Sequence, residues 1–126
     1  MQINSPETVA ELTALYPQYE AALVNNNAET LTRMFWSSPH AMRFGITENL
    51  YGIEEITAFR KGRSPANLAR TIRRLDVVAF GPDVGSITLE FERTTEGRPV
   101  RGRQSQLWVR MPEGWRIVAA HVSLLP

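Results

Sequence analysis

Val9, Leu12, Tyr16, Tyr19 and Leu23 recur at spacings of three and four residues, the period of a helix with one apolar stripe turned toward a core. Before them stands Ser5-Pro6-Glu7, an N-cap, a proline at the first helical position and an acid in the first turn, so the helix starts here. Pro17 lies inside the helix, removes one backbone donor and crowds the Thr13 carbonyl, which predicts a kink or loosened turn before Tyr19. Asn25-Asn26-Asn27 supplies a turn and a cap for a short second helix from Ala28 to Phe35, with Leu31, Met34 and Phe35 inward, and Ser37-Ser38-Pro39 ends it. His40 to Phe44 reads as a short strand and Gly45 through Gly52 as a loop. Ile53 to Lys61 reads as a third helix with Ile53, Ile56 and Phe59 inward, and Gly62 to Ala66 as its exit loop.

From Arg70 onward the period changes to two, and four strands are predicted, over 70–80, 85–93, 101–110 and 115–124. Gly81-Pro82-Asp83, Glu96-Gly97-Arg98-Pro99 and Pro112-Glu113-Gly114 separate them as hairpin turns. Helices first and an antiparallel meander after them predict an α+β fold, with N-terminal helices packed on a curved antiparallel β-sheet, and exclude a βαβ nucleotide-binding layout. The last strand is apolar on both parities, so both of its faces are expected to be covered, one by the helices and the other by a second subunit. A homodimer is the expectation.

A chain of 126 residues with 43% hydrophobic content suits a single domain spanning 1–126. Its 14 basic and 13 acidic residues leave a formal charge of +1, which argues against a nucleic-acid partner. No apolar run is long enough for a membrane span, and the polar start Met1-Gln2-Ile3-Asn4 does not resemble a signal peptide, so no membrane partner and a cytoplasmic location are expected. The chain has no cysteine, and His40 and His121 lack metal-ligand spacing, so no metal and no cofactor are expected. Every basic residue except Lys61 is arginine, the side chain that grips a planar carboxylate with a bidentate fork.

That fits a pocket for a small anion, but a GC-rich genome that encodes Arg in preference to Lys gives the same bias, so position must decide. Tyr19 on the first helix, Trp36 after the second, Arg43 on the short strand and Tyr51 beyond it offer aromatic walls, phenols and one cation. Arg43 lies between Met42 and Phe44. Turned inward it needs an anionic partner that a ligand would supply; turned to solvent, or paired with Glu48, it needs none. Tyr19 is either a pocket phenol or a core tyrosine with a satisfied hydroxyl. By alternation His121 and Ser123 share a face with Trp115 and Ile117, and Gln104 and Gln106 share one with Trp108. His121 is then either a bonded core residue or a general base.

Tyr19-Glu20-Ala21-Ala22-Leu23, Phe35-Trp36, Arg43-Phe44-Gly45, Glu48-Asn49-Leu50-Tyr51-Gly52, Gly102-Arg103-Gln104-Ser105-Gln106 and Gly114-Trp115-Arg116-Ile117-Val118-Ala119-Ala120-His121-Val122-Ser123 follow one another in the order of a known family. In these motifs the chain resembles the AtzH-like proteins, which include relatives linked to oxalurate catabolism, within the nuclear transport factor 2-like superfamily. The resemblance covers nearly the whole chain. It implies a cone-shaped α+β fold, a homodimer and a functional link to an amidase. It also implies a small anionic ureide substrate, one branch converting 1,3-dicarboxyurea to allophanate with loss of carbon dioxide. By the same resemblance Tyr19 and Arg43 are the catalytic candidates. Trp36, Tyr51, Arg70, Gln104, Gln106 and His121 are the substrate-binding candidates. A non-catalytic ligand-binding or amidase-accessory dimer is the rival reading, and a general-base isomerase using His121 a third.

Overall fold

A computed structural model describes residues 1–66 and 68–126. Helix α1 runs unbroken over Pro6–Val24, so Pro17 does not interrupt it. Leu12, Tyr16, Tyr19 and Leu23 are buried along its inner side, and that burial holds the helix on both sides of the proline. Asn26 takes a positive φ of 52° in the turn, and Asn27 caps α2 (Ala28–Arg33) by accepting from the Thr30 N–H at 3.1 Å. This helix stops short of the expected Phe35 because the next backbone groups turn to the sheet. Ile117 N–H donates to the Met34 carbonyl and Trp36 N–H to the Ile117 carbonyl, each at 2.9 Å.

Among the described residues the sheet has six strands, the expected four, the short strand expected over His40–Phe44 and one more: β1 (Met42–Phe44), β2 (Asn49–Tyr51), β3 (Thr71–Phe80), β4 (Val84–Thr95), β5 (Arg98–Met111) and β6 (Gly114–Leu124), in the order β2-β1-β6-β5-β4-β3. The last four form the expected antiparallel meander. The segment expected as a loop contains β2, which pairs with β1 as a hairpin, and β1 lies parallel to β6. Gly52 then starts α3 (Gly52–Gly62) at φ 84°, its N–H on the Ala41 carbonyl at 2.7 Å.

One irregularity decides the faces. Leu107 pairs with Ala119 but Trp108 pairs with Ile117, so Val118 is an extra residue in β6. Trp115 and Ile117 are buried before this bulge, and Val122 after it, whereas His121 is exposed. The expected sharing of a face by His121 with Trp115 and Ile117 is therefore wrong: one inserted residue inverts the parity of everything beyond it.

The helices cover one face of the sheet, around a core that includes Leu12, Ile56, Ile87, Leu89, Phe91, Trp108 and Ile117. On the other face Met42, Phe44, Leu107, Ala119 and His121 border a shallow, mostly apolar depression of about 320 Å³.

Candidate functional site

Between the helices and the inner face of the sheet lies a cavity of about 270 Å³, near the lower end of the usual size for small-molecule sites. It is bordered by α1 (Tyr19), β1 (Arg43), the segment to β2 (Glu48), the end of α3 (Phe59), β4 (Phe91, Arg93) and β5 (Gln104), together with Arg63 and Arg70 from the chain between α3 and β3. Four sequence candidates meet here: Tyr19, Arg43, Arg70 and Gln104. The other four do not border it. Trp36 lies against His40, at 6.2 Å between ring centroids. Tyr51 is 54% exposed on the outer face, its ring edge-on to Phe44 at 5.7 Å, because its partner in the hairpin is the outward Met42. Gln106 is buried deeper, accepting from the Trp108 indole at 3.0 Å. His121 is turned outward by the bulge and meets Phe44 edge-on at 5.8 Å.

Arg43 is only 6% exposed and its Nη1 donates to Glu48 Oε2 at 2.7 Å, so of the readings left open it is turned inward and paired with Glu48, five residues on. Its guanidinium also lies 5.1 Å from the Phe59 ring centre. Burial pushes the Glu48 carboxyl up, but hydrogen bonds from Arg43 and Thr47 outweigh it and hold the group below its ordinary value.

Arg70 is gripped on three sides. Its Nε and Nη2 reach the two oxygens of Glu20 at 2.9 Å each, and Nη2 also donates to the Tyr16 hydroxyl at 3.1 Å and to Gln104 Oε1 at 3.0 Å. Its face lies 4.4 Å from the centre of Phe91. Phe91 reaches that position across Gly102, its cross-strand partner, where any side chain would collide with the ring. Burial opposes the Arg70 charge, yet the Glu20 hydrogen bonds prevail and raise its pKa.

Tyr19 is 2% exposed, and its hydroxyl accepts from Arg60 Nη2 at 3.0 Å. The phenol's own proton has no acceptor among the described residues. Burial pushes this phenol up, but the charges of Arg60, Arg43 and Arg70 outweigh it and hold the pKa below the usual tyrosine value. Tyr19 is thus a stronger acid than an ordinary tyrosine.

Positive charge exceeds negative here. Glu48 answers Arg43 and Glu20 answers Arg70, while no carboxylate pairs with Arg60, Arg63 or Arg93 among the described residues. Buried N–H groups of all three lack a hydrogen-bond partner within the same residues: Nε and Nη1 of Arg60, Nη1 of Arg63 and Nε of Arg93. Burial, with Arg60 and Arg43 nearby, pulls Arg63 down to about 10. An anion in the cavity would relieve this excess.

Arg60, Arg63, Arg93 and Glu20 were not among the sequence candidates. Arg60 had a signal, because it follows Ile53 and Ile56 by seven and four residues and so continues the inward stripe of α3. Among the described residues no group of three or more His, Asp or Glu side chains forms a metal site, and no helix is long and apolar enough to cross a membrane.

A model of the AtzH-like family matches residues 1–126, and the chain belongs to that family. A protein of unknown function from Pectobacterium atrosepticum SCRI1043 is 46% identical over 98% of this chain and 95% of its own, with a TM-score of 0.92. A cystatin-like fold protein from Burkholderia xenovorans LB400 is 42% identical over 100% and 99%, with a TM-score of 0.90. A nuclear transport factor 2-like superfamily protein from Salmonella enterica is 21% identical over 97% and 94%, with a TM-score of 0.76, a likeness of fold alone. No curated protein matches. The architecture is that of the nuclear transport factor 2-like, cystatin-like fold.

Proposed function

We propose that this member of the AtzH-like family binds a small carboxylated urea in the arginine-lined cavity and releases carbon dioxide from it, 1,3-dicarboxyurea going to allophanate. The observation that supports this most is the Tyr19 hydroxyl, which borders a cation-rich cavity with its own proton uncommitted among the described residues. A carbamate nitrogen that gains a proton is disposed to lose carbon dioxide. Tyr19 gives its proton to that nitrogen, the nitrogen–carboxyl bond breaks with its electron pair left on nitrogen, and carbon dioxide departs. Water then returns a proton to the phenolate. Arg43, with Arg63 and Arg93, holds the carboxylates, while Arg70 and Gln104 are already bonded to each other and to the fold and so serve as fixed wall. None of these steps requires a cofactor.

The same reading includes a homodimer closed through the outer sheet face. Met42, Leu107 and Tyr51 are exposed there beside Phe44 and Ala119, and a second copy presenting the same face would cover them.

The test is direct. Pure protein is mixed with 13C-labelled 1,3-dicarboxyurea, and the appearance of labelled carbon dioxide and allophanate is followed by NMR. Turnover well above the uncatalysed rate, lost in Tyr19→Phe, is expected. An unchanged rate would sink the enzymatic reading, and binding without turnover would make the domain a carrier.

A further inference from the structure

Arg60 is the buried charge that the proposed reaction leaves unused. It is 1% exposed, is not among the residues bordering the cavity, and pairs with no carboxylate among the described residues. The single hydrogen bond of its side chain there runs from Nη2 to the Tyr19 hydroxyl, while Nε and Nη1 lie buried without partners. The fold gains little from such an arrangement. A buried guanidinium is costly to desolvate, and an apolar side chain of similar volume at such a site is commonly neutral or stabilising.

We infer that Arg60 is a positioning residue for the reaction: its Nη2 fixes the Tyr19 hydroxyl at the cavity wall, and its unpaired charge stabilises the phenolate left when that hydroxyl gives up its proton. This rests on the reading of Tyr19 as the acid. The neighbours favour Arg60 for the task. Tyr16 lies beside Tyr19 on α1, and Arg43 from β1, Glu48 from the segment to β2, Arg63 and Arg70 from the chain between α3 and β3, and Arg93 from β4 border the same cavity, with Glu20 behind Arg70. Arg43 and Arg70 spend much of their charge on Glu48 and Glu20. Arg60 alone bonds the phenol oxygen among the described residues. Burial opposes ionisation of Tyr19, and Arg60 is the largest of the influences acting the other way. Because Arg60 donates to the oxygen's lone pair, it also turns the phenolic O–H away from itself. In the transfer, the Tyr19 O–H bond breaks, the proton moves to the carbamate nitrogen, and the negative charge left on oxygen faces Nη2.

The chain holds Tyr16, Tyr19 and Tyr51, so ultraviolet titration of tyrosinate, compared between wild type and Tyr19→Phe, isolates Tyr19 in the absence of substrate. Arg60→Met and Arg60→Lys are titrated alongside, with melting temperatures and with kcat and KM on 1,3-dicarboxyurea. In wild type Tyr19 should titrate below the ordinary value of about 10, and in Arg60→Met it should move up by about one unit or more. The expected kinetics are a kcat about 10-fold lower or worse with KM little changed, partial recovery of both titration and kcat in Arg60→Lys, and a melting temperature for Arg60→Met no lower than wild type. A Tyr19 titration unmoved in Arg60→Met would overturn the inference. So would a large drop in melting temperature shared by both variants without a titration shift, since Arg60 would then serve the fold. If wild type turns over no carboxylated urea, the proposed function fails, yet the titration still decides whether Arg60 governs Tyr19.

Discussion

Arg43 and Glu48 form a 2.7 Å ion pair at the border of the cavity, and the two residues have opposite consequences for an anionic ligand. Arg43→Ala deletes the cation and leaves the Glu48 carboxylate facing the ligand, so affinity should fall by roughly 2–5 kcal/mol, together with the rate. Glu48→Gln keeps an acceptor beside Arg43 but removes the competing charge, so affinity should rise by roughly 1 kcal/mol, about fivefold. Calorimetry with a non-reacting dicarboxylate separates the two. Equal losses in both variants would show that the pair acts as a scaffold.

Tyr19→Phe removes only a hydroxyl, so binding should change little while kcat drops by about 100-fold or more. The reaction needs the protonated phenol, whose pKa lies below the ordinary 10.0. Wild-type activity should therefore fall as pH rises through that lowered value, earlier than for a free tyrosine. A pH profile flat to beyond pH 10 would remove Tyr19 from the acid role.

Glu48 also links the site to acid stability. Its folded-state pKa lies below the reference value of 4.5. A depressed carboxylate contributes stability that is fully present above its unfolded value and is lost as pH falls through its folded value. The melting temperature should decline in this acid window, and more gently in Glu48→Gln, as followed by circular dichroism.

Gly102→Val places a side chain against the Phe91 ring, which must move from Arg70. Overpacking of this kind costs about 1–3 kcal/mol. Denaturant unfolding should show that loss. Gly97→Val, in an open turn at φ 76°, instead tests backbone strain and should leave ligand binding unchanged.

Leu107→Asp places a charge in the centre of the apolar outer face, opposite Ala119 and Ser86. Light scattering should report twice the 14.2 kDa chain mass for wild type and one chain mass for the variant. A wild-type monomer at micromolar concentration would refute the dimer.

Much of this architecture is local, and local features were readable in advance. The Ser5-Pro6-Glu7 start, the Tyr16-Tyr19 stripe, the three hairpin turns and the order of helices before strands each follow from interactions within a few residues of one another. The inward placement of Tyr19 follows from helical period alone. The alternation of β5 likewise puts Gln104 and Gln106 on one face with Trp108, and the structure shows that face to be the buried one.

Long-range pairing decided the rest. The strand β2 has three residues and no periodicity to announce it, and it is defined by its pairing with β1, which itself lies against β6. The bulge at Val118 leaves no mark in an apolar run, yet it moved His121 from the buried face to the outer one. Whether Arg43 met a ligand or Glu48 depended on a hairpin that folds Glu48 back beside it. Arg60 and Tyr19 are separated by 41 positions, and only the tertiary fold, in which α2 packs against both α1 and α3, brings their polar atoms to 3.0 Å. Secondary structure responds to the nearest few residues, whereas the charge balance of a cavity is set by residues that share space and not sequence.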